Sequence, residues 1–271
     1  MRAARCVADA HLWPRGADYH FQVDSRSLKR LASRMASSAR VTVLTGAGVS
    51  AASGVPTFRG AEGLWKQRSL QDLATPEAFA RDPEVVWEWY AWRRQQIAAC
   101  EPNPAHRVLA RWSVERGCRV LTQNVDDLHI RAGTAGLVRL HGSVWELACS
   151  APCPRGSAPW RDDDAISLAS RHCPHCGAIA RPAVVWFGES LEPGNVAAAV
   201  EATECDVFIT IGTSAIVHPA AGLVHEAERR GAFTAEINLE STPASDIVDL
   251  AISGAAEAVL PALDDLLRPN R

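Results

Sequence analysis

Four cysteines in the middle of the chain have the spacing of a metal site. Two pairs, one with three intervening residues and one with two, are separated by nineteen residues. Two thiolate pairs on tight turns satisfy the tetrahedral geometry that Zn²⁺ prefers, and four thiolates leave no open position for catalysis. The sequence therefore predicts one structural zinc. The predicted ligands are Cys149, Cys153, Cys173 and Cys176. Four unrelated buried thiols are the alternative, and the neighbouring His172 and His175 could substitute as ligands.

A glycine-rich turn follows the first apolar run of the chain. Residues 41–60 read VTVLTGAGVSAASGVPTFRG, in which residues 46–51 fit G-x-G-x-x-A. That pattern lets backbone amides approach a pyrophosphate, with a helix N-terminus behind it. Gly54 and Pro56 arrive within eight residues of Gly48, so the helix that begins here must be short.

Polar residues also follow the other apolar runs. TQNVDDLH (122–129), LHG (140–142), GTS (212–214) and INLE (237–240) each stand where a predicted strand ends. In open α/β sheets, ligands bind at the carboxyl ends of the strands. Taken singly, each stretch is ambiguous, because Asn and Asp commonly form turns and a histidine beside a glycine is often a packed core residue.

The elements that must position these residues alternate along the chain. We predict helices at 27–39, 84–99, 195–203 and 220–230, and strands at 41–45, 119–122, 137–140, 207–211 and 234–239. This order is typical of an α/β protein with a Rossmann-like parallel sheet covered by helices on both faces. Irregular stretches at about 59–115 (helical) and 145–182 (the four-cysteine segment) predict insertions that form a smaller lobe. Residues 1–26 read as an N-terminal extension, expected to be partly disordered in solution, and 27–271 as the domain that carries all of these motifs.

Composition excludes several classes of protein. The 271 residues are 47% hydrophobic and 22% charged, which is ordinary for a globular protein. The net charge is −3, so the protein as a whole has no positive electrostatic field that would attract nucleic acid. No apolar run approaches the roughly 20 residues of a membrane span. Four clustered and four scattered cysteines favour a reducing compartment over a disulfide scaffold. The mildly basic N-terminus is interpreted as a solvated extension, with a remnant of organelle targeting as the alternative.

Together these stretches resemble the sirtuin family of NAD-dependent protein lysine deacylases. The matching text is GAGVSAASGVPTFRG, TQNVDDLH, LHG, the four-cysteine module, VVWFGE at 184–189, GTS and INLE, in the family's order, and it covers about residues 28–265. The resemblance also explains the short helix, since in the family the segment after the glycine loop folds over NAD. It implies that acyl-lysine gives up its acyl group to the ribose of NAD, which yields nicotinamide and O-acyl-ADP-ribose.

The resemblance assigns roles to particular residues. His141 is the expected general base, because the pKa of histidine lies near neutrality, and Asn124 and Asp126 orient the ribose and a water. Arg59 is expected at the pyrophosphate or the departing nicotinamide. The expected NAD-binding residues are Gly46, Ala47, Gly48, Thr57, Phe58, Arg59, Trp65, Gln123, Asn124, Val125, Asp126, Gly212, Thr213, Ser214, Asn238, Leu239, Glu240 and Ala256. The segment expected to pair with the substrate backbone is Val184, Val185, Trp186, Phe187, Gly188 and Glu189.

One motif bears on the acyl group. Tyr90 and Arg93 are spaced i, i+3 on a predicted helix, so they share a face. By spacing alone, this pair reads as a surface arginine beside a core aromatic. Its resemblance to the acid-recognition motif of the desuccinylase and demalonylase branch implies that the two residues clasp a distal carboxylate. Ala74 is expected to leave room for a larger acyl group.

Other features depart from the family or leave alternatives open. Thr57 stands where many deacetylases have Asp, and the first cysteine pair is more widely spaced than usual. The rival functions are ADP-ribosylation of protein, a zinc-ribbon nucleic-acid module and an NAD sensor without turnover. Expected partners are acylated-lysine proteins or peptides, with neither nucleic acid nor membrane. The chain is expected to be monomeric and cytoplasmic, or mitochondrial if its source is eukaryotic.

Overall fold

The computed structural model describes residues 24–56, 64–65, 68–69, 73–154, 156, 158–163 and 171–268. Three residues expected to bind NAD, Thr57, Phe58 and Arg59, lie outside this set, and only the backbone of Trp65 is described. The predictions for these residues therefore remain predictions.

A parallel sheet of six strands forms the centre of the larger lobe. Its strands are β1 (Val41–Thr45), β4 (Arg119–Thr122), β5 (Val138–Arg139), β9 (Val207–Ile211), β10 (Phe233–Asn238) and β11 (Leu250–Ser253). Their spatial order is β11-β10-β9-β1-β4-β5, so the first strand lies inside the sheet. The two central strands, β9 and β1, are apolar or β-branched throughout and are buried on both faces, as expected for a parallel sheet. The Rossmann-like prediction is confirmed.

Helices cover both faces of this sheet. They are α1 (Ser25–Ala36), α2 (Gly48–Ala51), α5 (Pro104–Glu115), α6 (Leu128–Arg131), α7 (Pro193–Ala202), α8 (Leu223–Arg229) and α9 (Ala256–Leu267), with a 3-10 turn at Ala220–Gly222. Helix α2 has four residues and ends at Ala51, which confirms the predicted short helix. Beyond it, Gly54 has a φ of +88°, a conformation that few residues other than glycine adopt.

Two further helices belong to the smaller lobe. They are α3 (Pro76–Arg81) and α4 (Pro83–Ala98). The side chain of Thr75 caps the first and that of Asp82 caps the second, each with proline at the first helical position. One face of α4 packs into an apolar cluster that includes Trp89, Val144 and Trp186. Helix α4 is thereby fixed against the segment expected to hold the substrate.

A three-stranded antiparallel sheet completes the smaller lobe. It contains β6 (Gly142–Cys149) between β7 (Trp160–Arg161) and β8 (Ala180–Val184), and a separate short pair is formed by β2 (Leu64–Trp65) and β3 (Arg68–Ser69). The sequence did not predict β6, because cysteine and proline in this region obscure its period. Strand β11 and helix α9 were also not predicted from the sequence. Among the described residues, no helix is both long and apolar enough to cross a membrane.

Candidate active site

Two glycine loops interlock at the carboxyl ends of β1 and β9. The Gly46 amide donates to the Ile211 oxygen at 3.0 Å, and the Gly48 amide donates to the Gly212 oxygen at 2.8 Å. A Cβ on Gly46 would lie 2.7 Å from the Thr213 Cα, and one on Gly48 would lie 2.8 Å from the Gly212 Cα. The glycines therefore bring the two loops into backbone contact. Loops without side chains at these positions suit a dinucleotide, because its pyrophosphate must approach backbone amides closely.

Thr213 joins the second glycine loop to two other strand ends. Gln123 donates from Nε2 to Thr213 Oγ1 at 2.8 Å, and Asn238 donates from Nδ2 to the Thr213 backbone oxygen at 2.8 Å. Strands β4, β9 and β10 thus contribute polar residues to a single cluster. All three residues are among those expected to bind NAD, and the structure brings them together.

A buried hydrogen-bond network holds Asp126, which is 4% exposed. Ser50 donates from Oγ to Asp126 Oδ2 at 2.7 Å and accepts from Asn124 Nδ2 at 3.1 Å. The Asn103 amide donates to His106 Nδ1, so the proton of the neutral ring is on Nε2, which lies 3.3 Å from Ser50 Oγ. Burial raises the pKa of Asp126, while the hydrogen bonds from Leu128 and Ser50 oppose that shift. These contacts fix the direction of the Asp126 carboxylate.

Sequence analysis missed Ser50 and His106 as members of this site. His106 lies in α5, far along the chain from the strand-end motifs. Its one local signal is the capping pattern that begins at Asn103-Pro104, in which His106 takes the third helical position. His129, also missed, is 1% exposed, and its ring centre lies 4.8 Å from that of His106 with the two rings tilted by 59°.

His141 lies at the junction of the two lobes, directly before β6. Its Nδ1 lies 3.0 Å from the Gln123 backbone oxygen. A carbonyl only accepts, so Nδ1 carries the ring proton and Nε2 has the free electron pair. Burial lowers the pKa of His141, and the hydrogen bond to Gln123 opposes that shift. His141 is therefore neutral near pH 7 and can accept a proton at Nε2.

The segment 184–189 is tied to both sides of the cleft. The Val185 amide donates to the His141 oxygen at 3.0 Å, and the Phe187 amide donates to the Ala74 oxygen at 2.9 Å. Gly188 follows with a φ of +87°, and Glu189 forms an ion pair with Arg181. Phe187 is 44% exposed, which is unusual for a large apolar side chain. The segment leaves β8 at Val184 and is held beside His141, but it is not extended throughout as predicted. Phe187 and Gly188 form a turn, in which the Glu189 amide donates to the Trp186 oxygen at 3.0 Å.

Tyr90 and Arg93 both point into the small-lobe core rather than to solvent. They are 3% and 7% exposed, and the Arg93 guanidinium carbon lies 5.4 Å from the centre of the Trp89 ring. Burial lowers the pKa of Arg93, and interaction with Tyr90 and then Asp126 opposes that shift. The predicted shared helix face is confirmed, and a surface position for Arg93 is excluded.

The four predicted metal ligands converge. The sulfur atoms of Cys149, Cys153, Cys173 and Cys176 all lie within 4.8 Å of one another. Tetrahedral zinc with ligand bonds of about 2.3 Å places sulfurs roughly 3.8 Å apart. Cys149 and Cys176 are separated by 3.3 Å, and Cys153 and Cys173 by 3.6 Å. The cluster fits a structural zinc ion, and neither nearby histidine belongs to it.

Comparison with known proteins agrees with this geometry. Residues 46–219 match the Sir2 family. The chain is 44% identical to an NAD-dependent protein deacylase of Aquifex aeolicus over 230 residues, which are 84% of this chain and 95% of that protein. The chain belongs to the Sir2 family.

Other similar proteins lie in the same family. A Thermus thermophilus protein named NAD-dependent protein deacylase is 46% identical over 86% of this Sir2-family chain and 92% of its own length. A solved Sir2 homologue in complex with NAD is 40% identical, with a TM-score of 0.82, and covers 89% of this chain and 95% of that one. A Sir2 protein solved with a p53 peptide and NAD⁺ is 28% identical with a TM-score of 0.75, over 88% and 97% of the two chains.

Asp127 is a further residue of this Sir2-family chain that the sequence did not single out. It has a φ of +62°, and its carboxylate is 1% exposed. One oxygen lies 2.6 Å from Arg161 on β7 of the zinc lobe, and the other lies 3.5 Å from Arg139 on β5. Asp127 thus connects the loop that carries Asp126 to both lobes.

The remaining predicted residues lie around the same edge of the sheet. Val125 accepts a hydrogen bond from the Val144 amide at 2.9 Å, so β6 supports this loop. Ala47 and Ser214 belong to the two glycine loops, and Ala256 is buried at the start of α9. Two others, Leu239 and Glu240, are exposed after β10.

Proposed function

We propose that this chain removes acyl groups from lysine side chains of proteins, with NAD as co-substrate, and that it prefers succinyl and malonyl groups to acetyl. The observation that carries the proposal is the position of His141. Its Nε2 can accept a proton. Its backbone oxygen accepts a hydrogen bond from the amide of Val185, which belongs to the segment proposed to bind substrate. Membership of the Sir2 family and the names of its relatives support the same reaction.

The proposed NAD site is the interlocked pair of glycine loops. NAD would supply the ribose carbon that accepts the acyl group as nicotinamide leaves. Gly46, Gly48 and Gly212 let the two loops approach to backbone contact, and the pyrophosphate is proposed to lie at the mouth that these loops form together. Gln123 and Asn238, both held by Thr213, are proposed to bind the ribose units.

The proposed chemical work is divided between three side chains. His141 takes a proton at Nε2 from a hydroxyl group, which its neutral state permits at pH 7. Asn124 and Asp126 orient the reacting groups, and Ser50 and His106 keep Asp126 in place. Because Ser50 and His106 act through Asp126, they are positioning residues.

The proposed substrate strand is the segment 184–189. A peptide in extended conformation would pair with its backbone, and acyl-lysine would enter between the lobes beside His141. Arg181 and Glu189 stabilise the segment, because the Arg181 guanidinium bonds both carboxylate oxygens and Glu189 accepts from the Trp186 amide at 2.8 Å.

The acidic preference is proposed from the environment of Arg93. Arg93 as a residue is 7% exposed, so its charge is largely removed from water, and a bound carboxylate would offset part of that cost. Tyr90 lies one helical turn away in the buried apolar cluster of the smaller lobe, and its hydroxyl group is proposed to reach the same carboxylate. A neutral acetyl group gains nothing from Arg93, so the charge favours succinyl or malonyl.

The context of the reaction is also part of the proposal. Thiolate ligands need reducing conditions, which suit the cytoplasm, and the chain is proposed to act as a monomer on protein or peptide substrates. Transfer of ADP-ribose to protein is the second candidate, since it begins with the same cleavage of NAD. No observation favours it over deacylation.

A panel of peptides tests this proposal. Acetyl-, malonyl-, succinyl- and glutaryl-lysine versions of one peptide would be incubated with NAD, and the products would be identified by mass spectrometry. We expect O-acyl-ADP-ribose and free lysine, with the highest kcat/KM for an acidic acyl group. ADP-ribosylated protein in place of O-acyl-ADP-ribose would overturn the deacylase, whereas a preference for acetyl would overturn only the acyl selectivity.

A further inference from the structure

The indole N–H of Trp186 donates a hydrogen bond of 2.8 Å to the Tyr90 hydroxyl oxygen. We propose that Trp186 is a specificity-positioning residue, which aligns the Tyr90 hydroxyl so that its proton is directed to the distal carboxylate of the acyl group. The inference rests on the proposed preference for acidic acyl groups. It adds a third residue, on the substrate segment itself, to the pair on α4.

The direction of this hydrogen bond is fixed by chemistry. An indole nitrogen donates and cannot accept, whereas a phenol does both. The Tyr90 oxygen must therefore accept from Trp186, and its own proton must point elsewhere. Within the part of the chain that the structure describes, Tyr90 has no acceptor for that proton. A carboxylate entering the cleft would supply one.

Burial keeps Tyr90 a donor. Its hydroxyl is removed from solvent, which raises the pKa of Tyr90 to about 12, although the charge of Arg93 opposes the shift. The phenol therefore remains protonated over the whole range in which the enzyme can work. Arg93 supplies the charge for the carboxylate, and Tyr90 supplies an aligned neutral donor.

The Trp186 ring is itself held in one orientation. The Arg181 guanidinium carbon lies 3.5 Å from the centre of the ring, and Phe79 packs against it at 5.2 Å with a tilt of 42°. Glu189 bonds both Arg181 and the Trp186 backbone amide. A cation over the face of an indole strengthens its N–H as a donor, so the same stacking that fixes Trp186 also favours its bond to Tyr90.

This arrangement predicts an effect on selectivity that depends on Tyr90. Acetyl-lysine has no carboxylate, so alignment of the hydroxyl cannot help it. The quantity to measure is the ratio of kcat/KM for succinyl-lysine to kcat/KM for acetyl-lysine, in which general damage to the cleft cancels. Trp186→Phe keeps an aromatic ring under Arg181 and removes the N–H together with one ring of the indole. We expect it to lower the ratio by about 3- to 10-fold, through a higher KM for the succinyl peptide.

A double-mutant cycle decides whether Trp186 acts through Tyr90. The ratio would be measured for the wild type, Trp186→Phe, Tyr90→Phe and the double variant. We expect Trp186→Phe to cause no further fall once the Tyr90 hydroxyl is gone. Trp112→Phe is the matched control, because it also removes a buried indole N–H, bonded there to Asp264 in the larger lobe, and should leave the ratio unchanged.

The outcomes separate this inference from the proposed function. If Tyr90→Phe and Arg93→Met lower the ratio but Trp186→Phe does not, the inference is overturned and the acidic preference stands. The inference is also overturned if Trp186→Phe lowers the ratio equally in the presence and in the absence of the Tyr90 hydroxyl. If neither Tyr90 nor Arg93 affects the ratio, both ideas are overturned. Should Trp186→Phe fold poorly, 3-benzothienylalanine at position 186 replaces the N–H with sulfur in a ring of the same shape, and the same fall is expected.

Discussion

The Nδ1 atom of His141 and the backbone oxygen of Gln123 are 3.0 Å apart. This contact leaves the lone pair of the ring on Nε2, and it also joins the proposed base to a residue that bonds the second glycine loop through Thr213. Burial lowers the pKa of His141. The neutral base form therefore persists to a lower pH than it would at the ordinary histidine pKa of about 6.5.

His141→Tyr should abolish deacylation and preserve the fold. A tyrosine cannot accept a proton near neutral pH, which would cost about 10²- to 10⁴-fold in kcat. In the wild type, kcat/KM should fall on the acid side with a midpoint below 6.5, because the lowered pKa delays protonation of the base. Circular dichroism controls for folding. A variant that deacylates at near wild-type rate would refute the assignment.

Gly212→Ala should damage both stability and NAD binding. A Cβ at this position would lie 2.6 Å from the Val49 nitrogen, so the two glycine loops would have to separate. Gly117→Ala is a matched control, since Gly117 has a similar φ of +64° but nothing within 4 Å of the added carbon. The left-handed backbone alone costs about 1–2 kcal/mol. Urea unfolding and calorimetric titration with NAD should show a larger loss at Gly212 and weaker binding only there.

Arg93→Met should reduce activity on succinyl-lysine much more than on acetyl-lysine. The variant keeps much of the aliphatic stem and removes the charge. A hydrogen bond to a charged group contributes about 1.5–3 kcal/mol, which corresponds to roughly 10- to 150-fold in kcat/KM.

The neighbouring Arg94 offers the matched control for Arg93. Arg94 is also buried, but its guanidinium bonds Asp162 and the Val144 oxygen. Arg94→Met should lower the folded yield and leave the succinyl-to-acetyl ratio as it was. Equal losses on both substrates for Arg93→Met would instead mean that Arg93 serves Asp126 or the fold and reads no carboxylate.

Cys173→Ser should lower both the zinc content and the yield of folded protein. Three thiolates and a hydroxyl bind zinc less tightly than four thiolates, and the turns of the small lobe depend on the ion. Metal content would be measured by mass spectrometry. Cys100→Ser is the control. Cys100 is buried outside the cluster, so this variant protein should retain its zinc. A Cys173→Ser protein that is folded, active and free of zinc would contradict the structural role.

The stability of the fold should fall as the pH drops below about 6.5. Burial lowers the pKa of His106 to about 4 and that of His129 to about 3, from an unfolded value of 6.5. Below 6.5 the unfolded state binds more protons, so each histidine destabilises the fold by up to about 1.4 kcal/mol per pH unit.

Urea unfolding between pH 7 and pH 5 measures this dependence. His129→Gln should remove about half of the slope, whereas substitution of the exposed His225 by Asn should leave the slope unchanged. A slope that His129→Gln does not reduce would show that other groups dominate the acid transition.

Local patterns carried most of the fold prediction. Strands β4 and β9 begin and end at the predicted residues, because the buried part of each strand leaves a run of apolar or β-branched residues. Cysteine spacing likewise predicted the cluster. The missed strand β6 contains polar and charged residues and lies among turns, so its pairing with β8 is not apparent from its own residues.

Contacts between distant segments account for what the sequence could not reveal about the site. Ser50 and Asp126 are 76 residues apart in the chain, and Tyr90 and Trp186 are 96 apart, yet each pair is in direct hydrogen-bond contact. Neither partner carries a local signal for the other. Family resemblance named Asp126, Tyr90 and Trp186 singly, and only the packing of α4 against the small sheet shows how the last two meet.

The ion pair between Asp127 and Arg161 ties the zinc module to the loop that carries Asp126. The module therefore cannot be replaced independently of the rest of the domain. A module transplanted from another chain would have to present an arginine at the place of Arg161. Without it, the carboxylate of Asp127 would remain buried with Arg139 at 3.5 Å as its one ion-pair partner among the described residues. The inserted lobe and the loop that carries Asp126 are therefore expected to change together as such chains diverge.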